Sequence, residues 1–157
     1  MDHDRYIAIE TRIGIGLNAV VSGAFVFLMF GGQATVKLWS MGGLAFDLLP
    51  TTFMISLMMT VALTLITRSR LNKGTVGPLL SARRLPGNVL LRGLTLALLA
   101  TLVFVPVSVA ALMLIWPVTG DLPFFVVLAF KIVYSAVLGI VLTPAILRAA
   151  FNDGVRT

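Results

Sequence analysis

Residues 122–147 read LPFFVVLAFKIVYSAVLGIVLTPAIL and carry a single formal charge, that of Lys131. As an α-helix they would extend about 39 Å, which exceeds the hydrocarbon core of a bilayer at roughly 30 Å. Lys131 would lie about 13 Å along this helix, so its flexible stem would carry the ammonium only part of the way back to the interface. Because a charge facing lipid is costly, we expect Lys131 to face protein or a water-filled cavity.

The composition extends this prediction to the whole chain of 157 residues, of which 59% are hydrophobic and 11% are charged. Such a balance is far from that of a soluble domain. Four apolar segments are long enough to cross a bilayer: residues 13–30, 48–67, 93–116 and 122–147. The sequence therefore predicts an all-α integral membrane bundle of four transmembrane helices, with residues 1–157 in a single membrane domain.

We expect the four helices to form two hairpins, at 13–67 and 93–148, joined by a basic cytoplasmic loop at 68–92. Of the 12 Lys and Arg residues, two lie in the N-terminal segment, six in this loop and two in the C-terminal tail. Because cytoplasmic loops carry an excess of Lys and Arg, this distribution places both termini and the basic loop in the cytoplasm.

The basic residues of the loop are expected to contact anionic lipid headgroups. The nucleic-acid alternative is weaker, because no aromatic residues are interleaved with these bases. The candidates for headgroup contact are Arg68, Arg70, Lys73, Arg83, Arg84 and Arg92.

Both ends of the chain are expected to lie outside the bundle. Residues 1–12 form a charged lead-in with Tyr6 at the membrane interface and Glu10 close enough to pair with Arg12. The acidic residues of this segment argue against a cleavable signal peptide. The polar tail after Arg148 is expected to fray.

Polar side chains recur every four residues in two of the segments, which places them on one face of each helix. The second segment carries Thr52, Ser56, Thr60 and Thr64; the fourth carries Lys131, Ser135, Gly139 and Thr143, with Tyr134 beside them. A shift of 79 residues superposes the two rows, and Arg12 meets Arg92 at a shift of 80. This suggests a parallel internal repeat, although any two apolar hairpins of equal length can be overlaid.

These polar faces have two interpretations. In one, they form a polar lane in which Lys131 attracts an anion or exchanges a proton. In the other, Lys131 is structural and pairs with an acid or with carbonyl groups, the candidate acids being Asp47 and Asp121. The hydroxyl row fits helix contacts better than a lane. Asn18, whose amide needs partners when buried, is expected to hydrogen-bond across a helix or dimer interface, or to line a substrate site.

Catalysis and metal binding have little support in the sequence. The chain has no cysteine and one histidine, His3, so thiol chemistry and the common Cys and His metal sites are excluded. No nucleophile–base pair, paired carboxylates within a span or nucleotide-binding fingerprint is present. We therefore expect no catalytic residues, no metal and no cofactor.

The second half of the chain, 88–150, resembles a small uncharacterised bacterial family of two-helix inner-membrane hairpin proteins. The resemblance rests on a basic start, a short polar outer turn and a second helix that closes with Thr143, Pro144 and Arg148. It implies a location in the bacterial inner (plasma) membrane and supplies no activity.

Two functions follow as hypotheses. The first is a permease-like or channel-like protein that handles protons or a small solute, anionic solutes included, as a homo-oligomer whose interface shelters Lys131. The alternative is an accessory or assembly subunit of a larger inner-membrane complex, with Lys131 and Asn18 as docking residues. The expected partners are the lipid bilayer, further copies of the chain or other membrane subunits, and no nucleic acid.

Overall fold

The computed structural model describes residues 2–78, 85–116 and 121–155. Within these residues it has four long helices, two short strands and a final 3₁₀ turn. All four helices are long and apolar enough to cross a membrane, which confirms the predicted all-helical fold with four helices able to span a bilayer. The helices are α1 (His3–Phe30), α2 (Leu44–Asn72), α3 (Val89–Ile115) and α4 (Phe124–Phe151), the strands are β1 (Thr35–Val36) and β2 (Leu122–Pro123), and the turn is Asn152–Val155.

Residues 3–12 and 149–155 belong to the helices and the final turn of the bundle, so the expectation of a separate lead-in is wrong, and residues 149–155 do not form the expected frayed tail. The first helix already begins at His3, and the last continues to Phe151 before the 3₁₀ turn. Tyr6 and Phe151 are buried and pack edge to face with their ring centroids 5.6 Å apart. This aromatic contact joins the start of α1 to the end of α4.

The ends of the helices follow local chemistry. Asn88 caps α3, because its side-chain oxygen accepts hydrogen bonds from the backbone N–H groups of Leu90 and Leu91 at 3.0 and 3.3 Å. Asp4 and Asp47 lie in the first turns of α1 and α2, where a negative charge is favoured by the helix dipole. Pro50 lies within α2 rather than in its first turn, because the helix begins four residues earlier than expected.

The closest helix packing joins α1 to α4 and α2 to α3, while α2 and α4 also pack against each other at the centre. The expectation that each hairpin packs as a unit is therefore not confirmed. Two glycines allow the close approaches: a Cβ on Gly139 of α4 would lie 3.1 Å from the Asn18 amide nitrogen, and one on Gly93 of α3 would lie 2.8 Å from Leu57 Cδ1.

This packing has an approximate two-fold pattern. Helices α2 and α4 form a central pair, and each carries the first helix of the other half on its outer side. The two strands fit the same pattern, since β1 and β2 come from the two inter-helix loops and pair antiparallel, with Thr35 opposite Pro123 and Val36 opposite Leu122. The arrangement agrees with a parallel internal repeat.

The bundle has two distinct ends, which we call the strand end and the basic end. The strand end holds β1 and β2, with the start of α2 and α4. The basic end holds the N-terminus of α1, the chain after α2 and the turn after α4, and there His3 lies 2.8 Å from the carbonyl of Gly77. Apolar side chains such as Leu28 and Leu114 are exposed along the helices, as lipid-facing residues are.

Candidate polar site between α2 and α4

Lys131 forms an ion pair with Asp47 across the interface between α4 and α2. Only 1% of the Lys131 side chain and 10% of the Asp47 side chain are exposed. Thr51 bridges the pair, since its Oγ1 donates to Asp47 Oδ1 and accepts from Lys131 Nζ, both at 3.4 Å. The lysine predicted to face protein is thus sheltered within a single chain rather than at an interface between copies.

Of the two candidate acids, Asp47 is the one in contact with Lys131. Asp121 lies in the exposed loops of the strand end, where its Oδ2 accepts a hydrogen bond from Thr35 Oγ1 at 3.4 Å. The difference has a geometric cause. Asp47 belongs to α2, which packs on α4, whereas Asp121 precedes α4 and lies beyond its N-terminus.

The position of the ion pair follows from where the two helices begin. Asp47 is the fourth residue of α2 and Lys131 the eighth of α4. These positions lie about 5 Å and about 10 Å from the respective helix starts at 1.5 Å per residue. Because helical side chains lean toward the N-terminus of their helix, Lys131 points back toward the strand end and meets the carboxylate there.

A row of buried hydroxyl groups continues from the ion pair along α2. We call it the hydroxyl column, and all five of its residues have 0% exposure: Thr52, Ser56, Thr60, Thr64 and Thr67. The spacing of four residues predicted the first four, whereas Thr67, which continues the same face three residues after Thr64, breaks that spacing and was not predicted. Thr67 Oγ1 lies 3.4 Å from the hydroxyl of Tyr6, so the column reaches the basic end.

The hydroxyl column is bonded partly to its own helix and partly to α4. Thr52 donates to the carbonyl of Leu48 at 2.5 Å. Its single hydrogen is therefore used, and Tyr134 donates its own hydroxyl hydrogen to Thr52 Oγ1 at 2.5 Å. Thr60 donates to the carbonyl of Ser56 at 2.7 Å.

Two hydroxyl oxygens of the column, Ser56 Oγ and Thr64 Oγ1, are buried without a hydrogen-bond partner in the part of the chain that the structure describes. A buried polar group without a partner costs free energy, so each such group in a native structure needs an explanation. The column therefore has hydrogen-bonding capacity that packing alone does not use.

The polar face of α4 is less continuous than predicted. Ser135 donates to the carbonyl of Ile132 in its own helix at 3.0 Å. Thr143 Oγ1 lies 3.9 Å from the sulfur of Met59, at hydrogen-bonding distance for sulfur. On this face, Lys131 and Tyr134 are the residues that bond to polar groups of α2, and Gly139 serves close packing.

Helix α1 contributes two polar groups to the same region. Asn18 donates its amide hydrogen to Met59 Sδ at 3.5 Å, so it bonds across helices within one chain, as one of its interpretations predicted. Ser22 donates to the carbonyl of Lys131 at 3.1 Å and is 1% exposed. Ser22 follows Asn18 at a spacing of four, so the two side chains lie on the same face of α1.

At the basic end, Arg92 and Arg68 share the carboxylate of Asp153, each at 2.9 Å. Arg92 is 1% exposed, and its Nε also donates to the carbonyl of Pro86 at 2.9 Å. The prediction that Arg92 contacts lipid headgroups is therefore wrong. Its charge is used inside the fold, because the turn after α4 brings Asp153 to it.

The other headgroup candidates differ in their surroundings. Arg70 pairs with Glu10 and lies 5.1 Å above the ring of Tyr6, yet 40% of its side chain is exposed. Arg68 is 35% exposed despite its pairing with Asp153, and Lys73 is exposed. The prediction for Arg83 and Arg84 lies outside the described residues. The expected partner of Glu10 was Arg12, whereas the structure pairs Glu10 with Arg70.

Asp153 has a shifted pKa with opposing causes. Burial acts to raise the pKa of its carboxyl group, whereas hydrogen bonds from Arg92 and Arg68 and the charges of both guanidinium groups lower it. The arginines prevail, and the pKa lies below its ordinary value of 3.8. Through its ion pairs with Arg68 and Arg92, Asp153 therefore links the turn after α4 to α2 and α3.

These features define the class of the protein: a bundle of four helices able to cross a membrane, with a lysine–aspartate pair and a hydroxyl column buried between its central helices. Comparison with known protein families, characterised proteins and solved structures found no match. The resemblance of the second half to two-helix hairpin proteins stays a prediction.

Proposed function

We propose that this chain is a small permease-like protein of the bacterial inner membrane that handles protons, with the Lys131–Asp47 pair as its protonatable site. The observation that carries the proposal is the burial of this pair between α2 and α4. Ionisable groups inside a membrane bundle are expensive and commonly mark ion pathways and proton relays.

The surroundings of the pair favour protons over a larger solute. Thr51 touches both charges, and the hydroxyl column and Tyr134 extend hydrogen-bonding groups from there toward the basic end. From Asp47 to Thr67 the distance along α2 is about 30 Å, close to the roughly 30 Å thickness of a bilayer core. Successive hydroxyls of the column are about 6 Å apart along the helix, so a proton would cross from one to the next through bridging water, whereas a solute needs a wider cavity.

In this proposal both termini and the basic loop lie in the cytoplasm. The distribution of Lys and Arg supports that orientation, because basic residues are enriched in cytoplasmic loops. In that orientation the ion pair lies near the outer face of the membrane. Self-association remains part of the proposal, supported by the small residues of α1, where a Cβ on Gly16 would have open space around it.

The accessory-subunit alternative requires different residues from those predicted. Lys131 is 1% exposed and paired within the chain, so it is not available to dock a partner.

Proton flux into liposomes tests the proposal. The full chain is reconstituted with a pH-sensitive dye inside the vesicles, and a pH gradient is applied. We expect flux above that of protein-free vesicles, and a loss of at least about ten-fold in Lys131→Met and Asp47→Asn, because each removes a charge of the protonatable site.

The control is Lys37→Gln, which removes an exposed lysine at the same end of the bundle and should leave the flux unchanged. The double variant Asp47→Asn with Lys131→Met keeps the buried site neutral and should fold without conducting. Wild-type flux equal to that of empty vesicles, or full flux in the double variant, would contradict the proposal.

A further inference from the structure

Helices α1 and α2 are consecutive in the chain but separated by an open apolar groove. It is lined by residues between Glu10 and Val21 of α1 and between Ile55 and Ile66 of α2, and its volume is about 320 Å³. We call it the α1–α2 groove. Its walls are apolar apart from Glu10 at one end and Asn18, whose amide is bonded to Met59.

The groove has the length of one bilayer leaflet. From Glu10 to Val21, and likewise from Ile55 to Ile66, it extends about 16 Å along each helix. Half of a hydrocarbon core is about 15 Å. The groove begins at the basic end, marked by Glu10 and Arg70, and so lies along the leaflet on that side.

The shape of the groove and the charge at its end favour a lipid as the occupant. It is an elongated apolar groove about 16 Å long that ends at basic side chains, which matches an acyl chain joined to an anionic headgroup. An acyl chain is narrow, apolar and abundant in the surrounding membrane.

The mouth of the groove carries positive charge. Arg70 closes the groove at the basic end by pairing with Glu10, and 40% of its side chain is still exposed. Lys73 follows Arg70 by three residues and still has right-handed helical backbone angles, so the two side chains lie on the same face of α2. Lys73 is exposed. Since Glu10 offsets the charge of one of these cations, the mouth keeps a net charge of about +1, which suits a phosphate group.

We propose that the α1–α2 groove binds one acyl chain of an anionic phospholipid, whose phosphate lies against Arg70 and Lys73. The proposal depends on the groove and its mouth and is independent of the proton pathway. It also gives a role to the basic residues that the fold leaves exposed, in contrast to Arg92, which the fold buries.

Native mass spectrometry of the full chain in detergent tests this assignment. The chain is offered equal amounts of phosphatidylglycerol and phosphatidylcholine with identical acyl chains. Wild type should retain one phosphatidylglycerol in preference. Arg70→Gln and Lys73→Gln should each reduce this preference about five-fold, the effect of one basic residue near an anionic headgroup.

A second variant tests the groove itself. Ala62 lines the groove and is exposed, so Ala62→Phe should fill it and abolish retention of the lipid. The matched controls are Ala111→Phe, at an exposed position of α3, and Arg12→Gln, at an exposed position outside the groove lining; both should behave as wild type. Because Lys73 is exposed, Lys73→Gln carries the headgroup test if Arg70→Gln does not fold.

Three outcomes would overturn the proposal. The first is an unchanged phosphatidylglycerol preference in Lys73→Gln, which would show that the lipid headgroup does not bind at the mouth of the groove. The second is full lipid retention in Ala62→Phe. The third is a loss of dimers in Ala62→Phe with lipid retention intact, which would assign the groove to a second copy of the chain.

Discussion

The two ends of the bundle each hold charged groups inside the fold, but the buried charges are paired in different ways. At the strand end, Lys131 and Asp47 form a one-to-one pair that is almost completely buried. At the basic end, Asp153 is shared by Arg92 and Arg68, and 35% of the Arg68 side chain is exposed. The Lys131–Asp47 pair has balanced charges and is shielded from solvent, whereas the Asp153 cluster has one more cation than anions and is partly accessible to solvent.

The comparison teaches that burial alone does not distinguish a functional candidate from a structural one, because the Arg92–Asp153 pair, at 1% and 11% exposure, is as buried as the Lys131–Asp47 pair, at 1% and 10%. The two sites differ in what each ion pair connects. The Asp153 cluster joins the ends of three helices and is explained by that task. The Lys131–Asp47 pair connects two helices that already pack closely, so apolar residues there would serve stability at least as well. Stability alone therefore does not explain the Lys131–Asp47 pair.

The largest expected effect is on the strand-end pair. Lys131→Met leaves the carboxylate of Asp47 buried without its cation, which should lower the free energy of unfolding by about 3–5 kcal/mol. Asp47→Asn added to it removes the unpaired charge and should restore most of that loss. Thermal or denaturant unfolding of the purified chain in detergent measures both, and equal stability of the single and double variants would contradict this account.

A smaller effect is expected at the basic end. Arg92→Gln removes a buried cation but leaves Asp153 paired with Arg68, so the loss should be about 1.5–3 kcal/mol. Arg68→Gln, at a partly exposed position, should cost less, at about 1 kcal/mol or below. The same unfolding measurement ranks the two, and a larger loss in Arg68→Gln would show that burial does not set the strength of this cluster.

The smallest effect is on pH dependence. The pKa of Asp153 is lower in the folded protein than its ordinary value of 3.8, so its stabilising contribution is complete above that value and is lost as the pH falls through the folded-state pKa. The difference in unfolding free energy between wild type and Asp153→Asn should therefore shrink between pH 5 and pH 3. A difference that stays constant over this range would show that the charge of Asp153 does not stabilise the fold.

The predictions from sequence were strongest where a residue's environment follows from its own segment. Lys131 had to leave the lipid because its segment is apolar, and the spacing of Thr52, Ser56, Thr60 and Thr64 placed them on one buried face. The sequence also limited the acidic partner of Lys131 to two residues. Choosing between them required the packing of α2 on α4, which no local pattern reveals.

The errors came from contacts between distant parts of the chain. Arg92 looks like a surface arginine because it stands in a basic loop, and its buried partner Asp153 is 61 residues away in a tail that looks polar and unstructured. Likewise the helical start of α1 is stabilised by Tyr6, whose contacts include Thr67 and Phe151. Sequence patterns report periodicity within an element and carry no information on such pairings.

The pairing of the first helix with the last has a consequence for synthesis of the chain. The partner of α1 begins at Phe124, about 94 residues after α1 ends at Phe30. At the usual elongation rate of about 5–20 residues per second, α1 leaves the ribosome roughly 5–20 seconds before α4 begins. During that interval Ser22 has not yet met the carbonyl of Lys131. Assembly of this bundle is therefore completed only when α4 has been made. In a chain truncated before Phe124, α1 lacks the α4 surface against which it packs.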